Sequence, residues 1–566
     1  MRMRLLAFTA ATVCLMGPVA VADATADAAV RDALDHPQTC GLVGSANVTA
    51  PVADMVMIDG IGDEGYAVDA TPEAQAWFNQ GVRLRWAFEH TESVRAFRKA
   101  RALDPRCGMC AWGEAWAVGP NLNGGGRDAA SAAAGLGAAR DARRLGRHAT
   151  PMQKQMMDAL IQRYSGAETT RARRFAQAMD RIAYAHPDDI DVAAITADAW
   201  MLSVEGEWWD KDGKAKAPGV TRAMQILEHA LAVKPDDPAN IHLYIHMTEW
   251  SADPHRAIPF GERLALLTPN ASHLVHMPSH TYYRVGRYID AMRSNVNAVA
   301  LDERYERLAP RPGGIAGGMP LHAHNLHFGM GGALMSGGAE DGLKLADGFL
   351  STYPDIPADK PWPQIMANDA YAIYGRFAPQ DVVQALKEPG LDKPMLRASW
   401  RYARGEAAAR RGDAAAVRAE AEAIQALRLS LPTGPQSKDL HEFVEISERV
   451  LEGRAAMIEG NAPAAVAAFT RAAEIQASGD GGEGGDPPAI WYPTRRSLAA
   501  AMLANGDAAG AKAKITELLV DWPADPYSYY VLAQAETALG HADAATEAMR
   551  QSRVQWIGGD MDLKLA

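Results

Sequence analysis

Aromatic residues make up only 7% of this 566-residue chain, and it has just four cysteines. No run of alternating β-branched residues stands out, which argues against a sheet-based fold. Beyond the first two dozen residues no stretch reaches about 18 uninterrupted apolar positions, so nothing later reads as a membrane span. Basic residues are in the minority, 57 Lys and Arg against 69 Asp and Glu, for a formal charge of −12. They form no long patch, so nucleic acid is not an expected partner. There is no Walker loop, dinucleotide fingerprint, zincin HExxH or CxxCH, and no GxSxG in a strand-turn-helix context. These absences remove the usual nucleotide, zinc-protease, haem-attachment and serine-hydrolase signatures. What is abundant is alanine, glycine and leucine, a composition that favours an all-helical chain.

The first residues have the pattern of a secretory leader: Arg2 and Arg4, an apolar stretch from Leu5 to Val21, and Ala20-Val21-Ala22 as a small-x-small cleavage site. The expectation is cleavage after about Ala22 and release to the periplasm or the exterior, with no membrane attachment afterwards. Removing Arg2 and Arg4 takes the charge from −12 to −14. Cys40, Cys107 and Cys110 then remain. Either a Cys107–Cys110 bridge or one from Cys40 to either of them is open.

An internal repeat organises the rest. Residues Ala74 to Cys107 read AQAWFNQGVRLRWAFEHTESVRAFRKARALDPRC. Trp77, Gly81, Leu84, Phe97, Ala100 and Pro105, with Ser93 where alanine is usual, resemble a tetratricopeptide repeat. The frame recurs, with Pro235, Pro269 and Pro354 closing units and Ser272–Tyr305 forming another. Weaker units follow to about Arg550, and Pro310–Met319 and Gly479–Pro488 read as loops. The resemblance implies an all-α, right-handed superhelical solenoid of helix-turn-helix units. The divisions expected are a leader (1–22), an N-terminal extension (23–70), an N-terminal repeat region (71–237), a central region (238–354) and a C-terminal repeat region (355–566). The stretches LDPRCGMCAWG, IHLYIHMTEW, HLVHMPSHTYYRVGRY and HNLHF further resemble a group of exported bacterial repeat proteins.

The chain has 16 histidines, and nine of them fall between His242 and His327. Three rows stand out: His242, His246 and Glu249; His273, His276 and His280; His324 and His327. Within their units they take places 2, 5, 9 and 12, which the resemblance implies point into the concave groove. At about 100° per residue these places span a stripe roughly 60° wide, and stacked repeats would set the stripes side by side. A lone groove histidine is usually a hydrogen-bonding contact. Seven in register would repel one another on protonation unless a metal used their lone pairs. Seven histidines and a carboxylate are too many for one ion. The expectation is therefore two or more transition-metal ions, with Glu249 a ligand, bridge or catalytic base and some histidines orienting others.

All-nitrogen ligation favours copper, with iron next and zinc possible. Met247, Met277 and Met330 fall at packing places and read as core. His90 is expected to pack, with a groove position left open, as are the roles of His322 and Asp369. His255 reads as surface. Trp250, Tyr282, Tyr283 and Tyr371 are candidates to wall the site. Three functions follow: a copper or iron oxidase or oxygenase acting on a small-molecule or peptide substrate, with the substrate or a donor protein as reductant; a zinc hydrolase on the same ligands; or a non-enzymatic metal-binding or protein-interaction scaffold. The first is preferred, because the groove presents imidazoles where a peptide clamp would present Lys, Arg and Asn.

Overall fold

A computed structural model describes residue 52 and residues 55–566, apart from 205, 312, 320, 435, 436 and 479–486. The expected leader, Cys40 and most of the 23–70 extension lie outside the described residues. Among the described residues the chain is helical, and the one extended pairing is an isolated antiparallel bridge between Trp209 and Ala215. No helix among them is long and apolar enough to cross a membrane.

The first repeat consists of α1 (Pro72–Trp86) and α2 (His90–Leu103). Thr71 caps α1 through the Ala74 amide, and Pro72 occupies the first turn, where its missing N–H costs no hydrogen bond. Gly81 is required by packing, since a Cβ there would meet the ring of Phe97 on α2. Antiparallel helices then follow in order: α3 (Gly108–Ala117), α4 (Ala129–Leu145), α5 (Pro151–Tyr164), α6 (Glu168–Ala185), α7 (Ile190–Leu202) and α8 (Pro218–Val233). Each packs mainly on its sequence neighbours, as in a solenoid. Cys107 and Cys110 are joined in a disulfide at the start of α3.

The central region comprises α9 (Pro238–Thr248), α10 (Ile258–Leu267), α11 (Ser272–His276), α12 (Pro278–Arg284), α13 (Tyr288–Leu308), α14 (Gly314–Gly318) and α15 (His322–Ser336). The row His273–His280 is split between α11 and α12, because Pro278 lacks the N–H that would bond the Leu274 carbonyl. Beyond α16 (Ala339–Thr352) and α17 (Pro361–Phe377), helical pairs continue to Ser552.

Two large apolar cores meet in this central region. One runs from Ile61 to Met277 and includes Leu321; the other begins at Tyr282 and reaches Trp522. Met247, Met277 and Met330 are fully buried in these cores, as their repeat places imply. The C-terminal repeats also return to the centre. The Tyr288 hydroxyl donates to the Pro523 carbonyl (3.2 Å), and the Ile557 amide to the Ser336 carbonyl (2.9 Å). Gly286, at φ +74°, has no room for a Cβ against Pro523, so both its backbone angle and this close approach call for glycine.

Candidate metal centre

Helix α9 starts at Asp237, whose side chain caps the Asn240 amide, and all of its residues are buried. One face carries His242 and His246, four residues apart and therefore stacked. Helices α11 and α12 bring His273, His276 and His280, and α15 brings His324. The six imidazoles gather into two triads: His242, His246 and His273; and His276, His280 and His324. Within each triad one ligand atom per residue lies within 4.8 Å of the others. Rings of the two triads approach to 5.4 Å (His273–His276) and 5.5 Å (His246–His280), so both occupy one chamber.

Polar contacts behind three of the rings set which nitrogen faces inward. His242 Nδ1 donates to the Trp86 carbonyl (2.6 Å), and His276 Nδ1 to Asn295 Oδ1 (2.6 Å). His280 Nδ1 lies 2.6 Å from Glu249 Oε2. A proton on Nδ1 leaves the lone pair on Nε2. His276 Nε2 is 3.0 Å from His280 Nε2 and 3.1 Å from His324 Nε2, and His242 Nε2 is 3.2 Å from His246 Nε2. Inward lone pairs at that separation repel. Two nitrogens bound to one ion at about 2.0–2.1 Å stand roughly 2.9–3.4 Å apart for angles of about 90–110°. These three spacings fall inside that range, and three protein ligands would leave an ion an open position.

Three of the rings, His242, His273 and His324, are held neutral. Burial, reinforced by the neighbouring imidazoles, pushes His242, His273 and His324 well below the ordinary histidine range. Each triad also packs on one phenylalanine. Phe88 lies against His242, His246 and His273, with ring centroids at 4.3, 5.6 and 5.1 Å. Phe328 lies against His276, His280 and His324, at 4.8, 4.6 and 4.5 Å. Phe88 reaches its place through a left-handed backbone, φ 57°, at the α1–α2 corner. Sequence reading missed both rings. The only hints were the departure of the 88–90 corner from plain helix and the aromatic directly after His327.

The remaining candidates take other positions. Glu249 follows α9 as its C-cap residue and meets the imidazoles from behind, at the Nδ1 edges of His280 and of His246 (3.9 Å). Burial would raise its carboxyl, but the two imidazoles outweigh that and hold it at about 2. His327 stands outside both triads, 3.4 Å from Asp369 Oδ2, with both groups fully buried. Burial lowers His327 to about 3 and raises Asp369 well above the carboxylate range. His322 Nδ1 meets Asp302 Oδ2 at 3.1 Å, so that carboxylate, not the chamber, engages its ring. His90 is buried beside Phe88, and His255 is exposed near Asp253.

Tyr283 is buried and donates to the Phe328 carbonyl (2.7 Å), while Tyr282 and Tyr371 are core residues. Half-buried Trp250 carries the Arg284 guanidinium 3.8 Å above its ring. The six triad histidines are at most 5% exposed, because the Trp86–His90 corner and Phe328 close over them.

No family model matches the chain, and no curated protein matches its sequence. Among solved structures, a human IFIT1 dimer with m7Gppp-AAAA aligns at 12% identity over 94% of each chain, with a TM-score of 0.29. Yeast Tom70 aligns at 11% identity over 86% of this chain and 90% of its own, with a TM-score of 0.26. The APC/C hetero-tetramer Cut9–Hcn1 gives 12%, 86%, 88% and 0.23. At those scores the likeness carries no argument about ligands. Among the described residues the chain is a solenoid of helical pairs with two histidine triads able to hold metal ions.

Proposed function

We propose that this protein is a metal-dependent oxidoreductase, an oxidase or oxygenase, exported to the periplasm or beyond. Its two copper or iron ions would be held by His242, His246 and His273, and by His276, His280 and His324. The observation that carries this reading is the pair of adjoining, buried, all-imidazole triads, with His242, His276 and His280 oriented by polar contacts behind their rings. Imidazole without a bridging carboxylate suits copper best among available metals. When bound, such a pair supplies one-electron redox capacity at two neighbouring open positions. The residues around it orient the ligands and exclude water: Glu249, Asn295 and the Trp86 carbonyl fix ring tautomers, and Phe88 and Phe328 keep the chamber dry. The burial of the chamber favours a small-molecule substrate or the end of a peptide, with the substrate or a donor protein as reductant.

Metal content per chain by mass spectrometry, on untagged protein purified after export and paired with electron paramagnetic resonance, tests this directly. About two copper or iron ions per chain, with oxygen consumption on adding a reductant, is the expected result. Zinc at the same stoichiometry would shift the reading to a hydrolase on the same ligands. No metal after loading would overturn it in favour of a binding scaffold.

A further inference from the structure

Directly behind the first triad lies a second polar cluster that the metal ligands do not use. Arg85 precedes Trp86, whose carbonyl holds His242, and its side chain is fully buried. It makes one ion-pair contact, 3.4 Å from Asp198 Oδ2, and lies over the ring of Trp116. Arg163, also buried, donates to the Pro120 carbonyl (2.5 Å) and stacks on Phe175. That hydrogen bond braces the loop carrying buried Asn121 and Asn123. The two guanidiniums and Asp198 act on one another: burial pushes the Asp198 carboxyl up, against the pull of Arg85 and Arg163. Burial likewise pushes Arg85 down, with Arg163 adding to the effect.

Such a cluster is poorly built as a purely structural ion pair. A buried pair is tolerable when its remaining donors and acceptors are satisfied. Here Arg85 Nε and Nη1, Arg163 Nη1, Trp116 Nε1 and the Nδ2 groups of Asn121 and Asn123 have no partner among the described residues. Orphaned acceptors are fewer, chiefly Asp198 Oδ1 and Asn123 Oδ1. Two guanidiniums face one carboxylate, so the cluster holds an excess of positive charge and of N–H donors in a buried place. An acceptor-rich anion satisfies both.

We infer that Arg85 and Arg163 form a binding site for a small oxyanion, the carboxylate of an organic acid, with Trp116, Asn121 and Asn123 as further donors. As the substrate end of the metal chamber this site rests on the oxidoreductase reading; as an anion site it does not. Asp198 is the internal competitor that occupies Arg85 in the ligand-free state.

The test uses the full-length protein stripped of metal and titrated calorimetrically with acetate, benzoate, inorganic phosphate and sulfate. Saturable 1:1 binding of a carboxylate is expected. Arg163→Gln should weaken it by about 10- to 100-fold. Asp198→Asn should tighten it by at least several-fold, a change that a merely structural ion pair would not produce. Both variants should keep the wild-type metal content when loaded. Absence of saturable binding for all four probes, or identical affinity in Arg163→Gln, overturns the site. Saturation by phosphate or sulfate alone overturns the organic-acid assignment. If Arg163→Gln does not fold, Asp198→Asn decides: tighter binding supports the site, and unchanged or weaker binding overturns it. Because the titration is done without metal, failure of the metal reading would leave its outcome unaffected.

Discussion

Glu249→Gln is the most informative single change, because this carboxylate touches both triads. Its Oε2 lies 2.6 Å from His280 Nδ1 and its Oε1 3.9 Å from His246 Nδ1. Glutamine keeps the shape and offers one carbonyl to the shorter contact, but it loses the charge that raises ligand basicity. Groups that orient a ligating histidine are worth about 10- to 100-fold in metal affinity, or about 1.4–2.7 kcal/mol. The expected result is two ions still bound at saturation, with weaker affinity at both positions. The loss should be larger at the His276–His280–His324 triad, where the contact is direct. Titration against chelators of graded strength, with ions counted by mass spectrometry, reads this out. A drop to one ion per chain would mean that Glu249 is itself a ligand. Unchanged affinity would refute the positioning role.

Other expectations follow from the same geometry. His276→Ala removes the ring that meets both His280 and His324, so bound metal should fall to about one ion per chain; His327→Ala, outside the triads, should leave two. Phe88→Ala should lower stability by about 3–5 kcal/mol in denaturant titration and speed metal release from the first triad. An unchanged midpoint would show that Phe88 does not pack as described. Burial, with Asp237 adding to it, raises the Glu64 carboxyl from 4.5 to about 8. The folded state then holds a proton that the unfolded state has lost between those values, so stability should fall as pH rises through that window, by at most about 1.4 kcal/mol per unit. Glu64→Gln should flatten that slope in thermal melts at pH 5–9, and parallel curves would contradict the assignment. The Cys107–Cys110 bridge closes only a short loop, so reducing it should cost about 2 kcal/mol without loss of metal.

Much of this molecule was legible without coordinates. Trp77, Gly81 and Phe97 stand at the spacing of a helix pair, and packing such as Gly81 against Phe97 needs those residue types. His242 and His246 read correctly as one helix face, because 3.6 residues per turn is a local property of the chain, whereas the row His273–His280 is divided at Pro278. The same rule could not separate His324 from His327 on α15. Both face inward by periodicity, but the first reaches His276 and the second stands beside Asp369. Nor could it show that Glu249, one turn beyond His246, would stand behind the imidazoles.

The sequence by itself determined the helical repeat and the histidine-rich faces. Tertiary structure alone decided that these faces close into a buried chamber, that six of the seven histidines form two triads, and that Cys107 pairs with Cys110. It also brought the Trp86 carbonyl to His242 and Phe88 over the first triad, across more than 150 residues of chain. Helix periodicity is fixed by neighbouring residues. Which side chains share a point a few ångströms wide depends on how distant helices dock, and that is set by the whole packed interior.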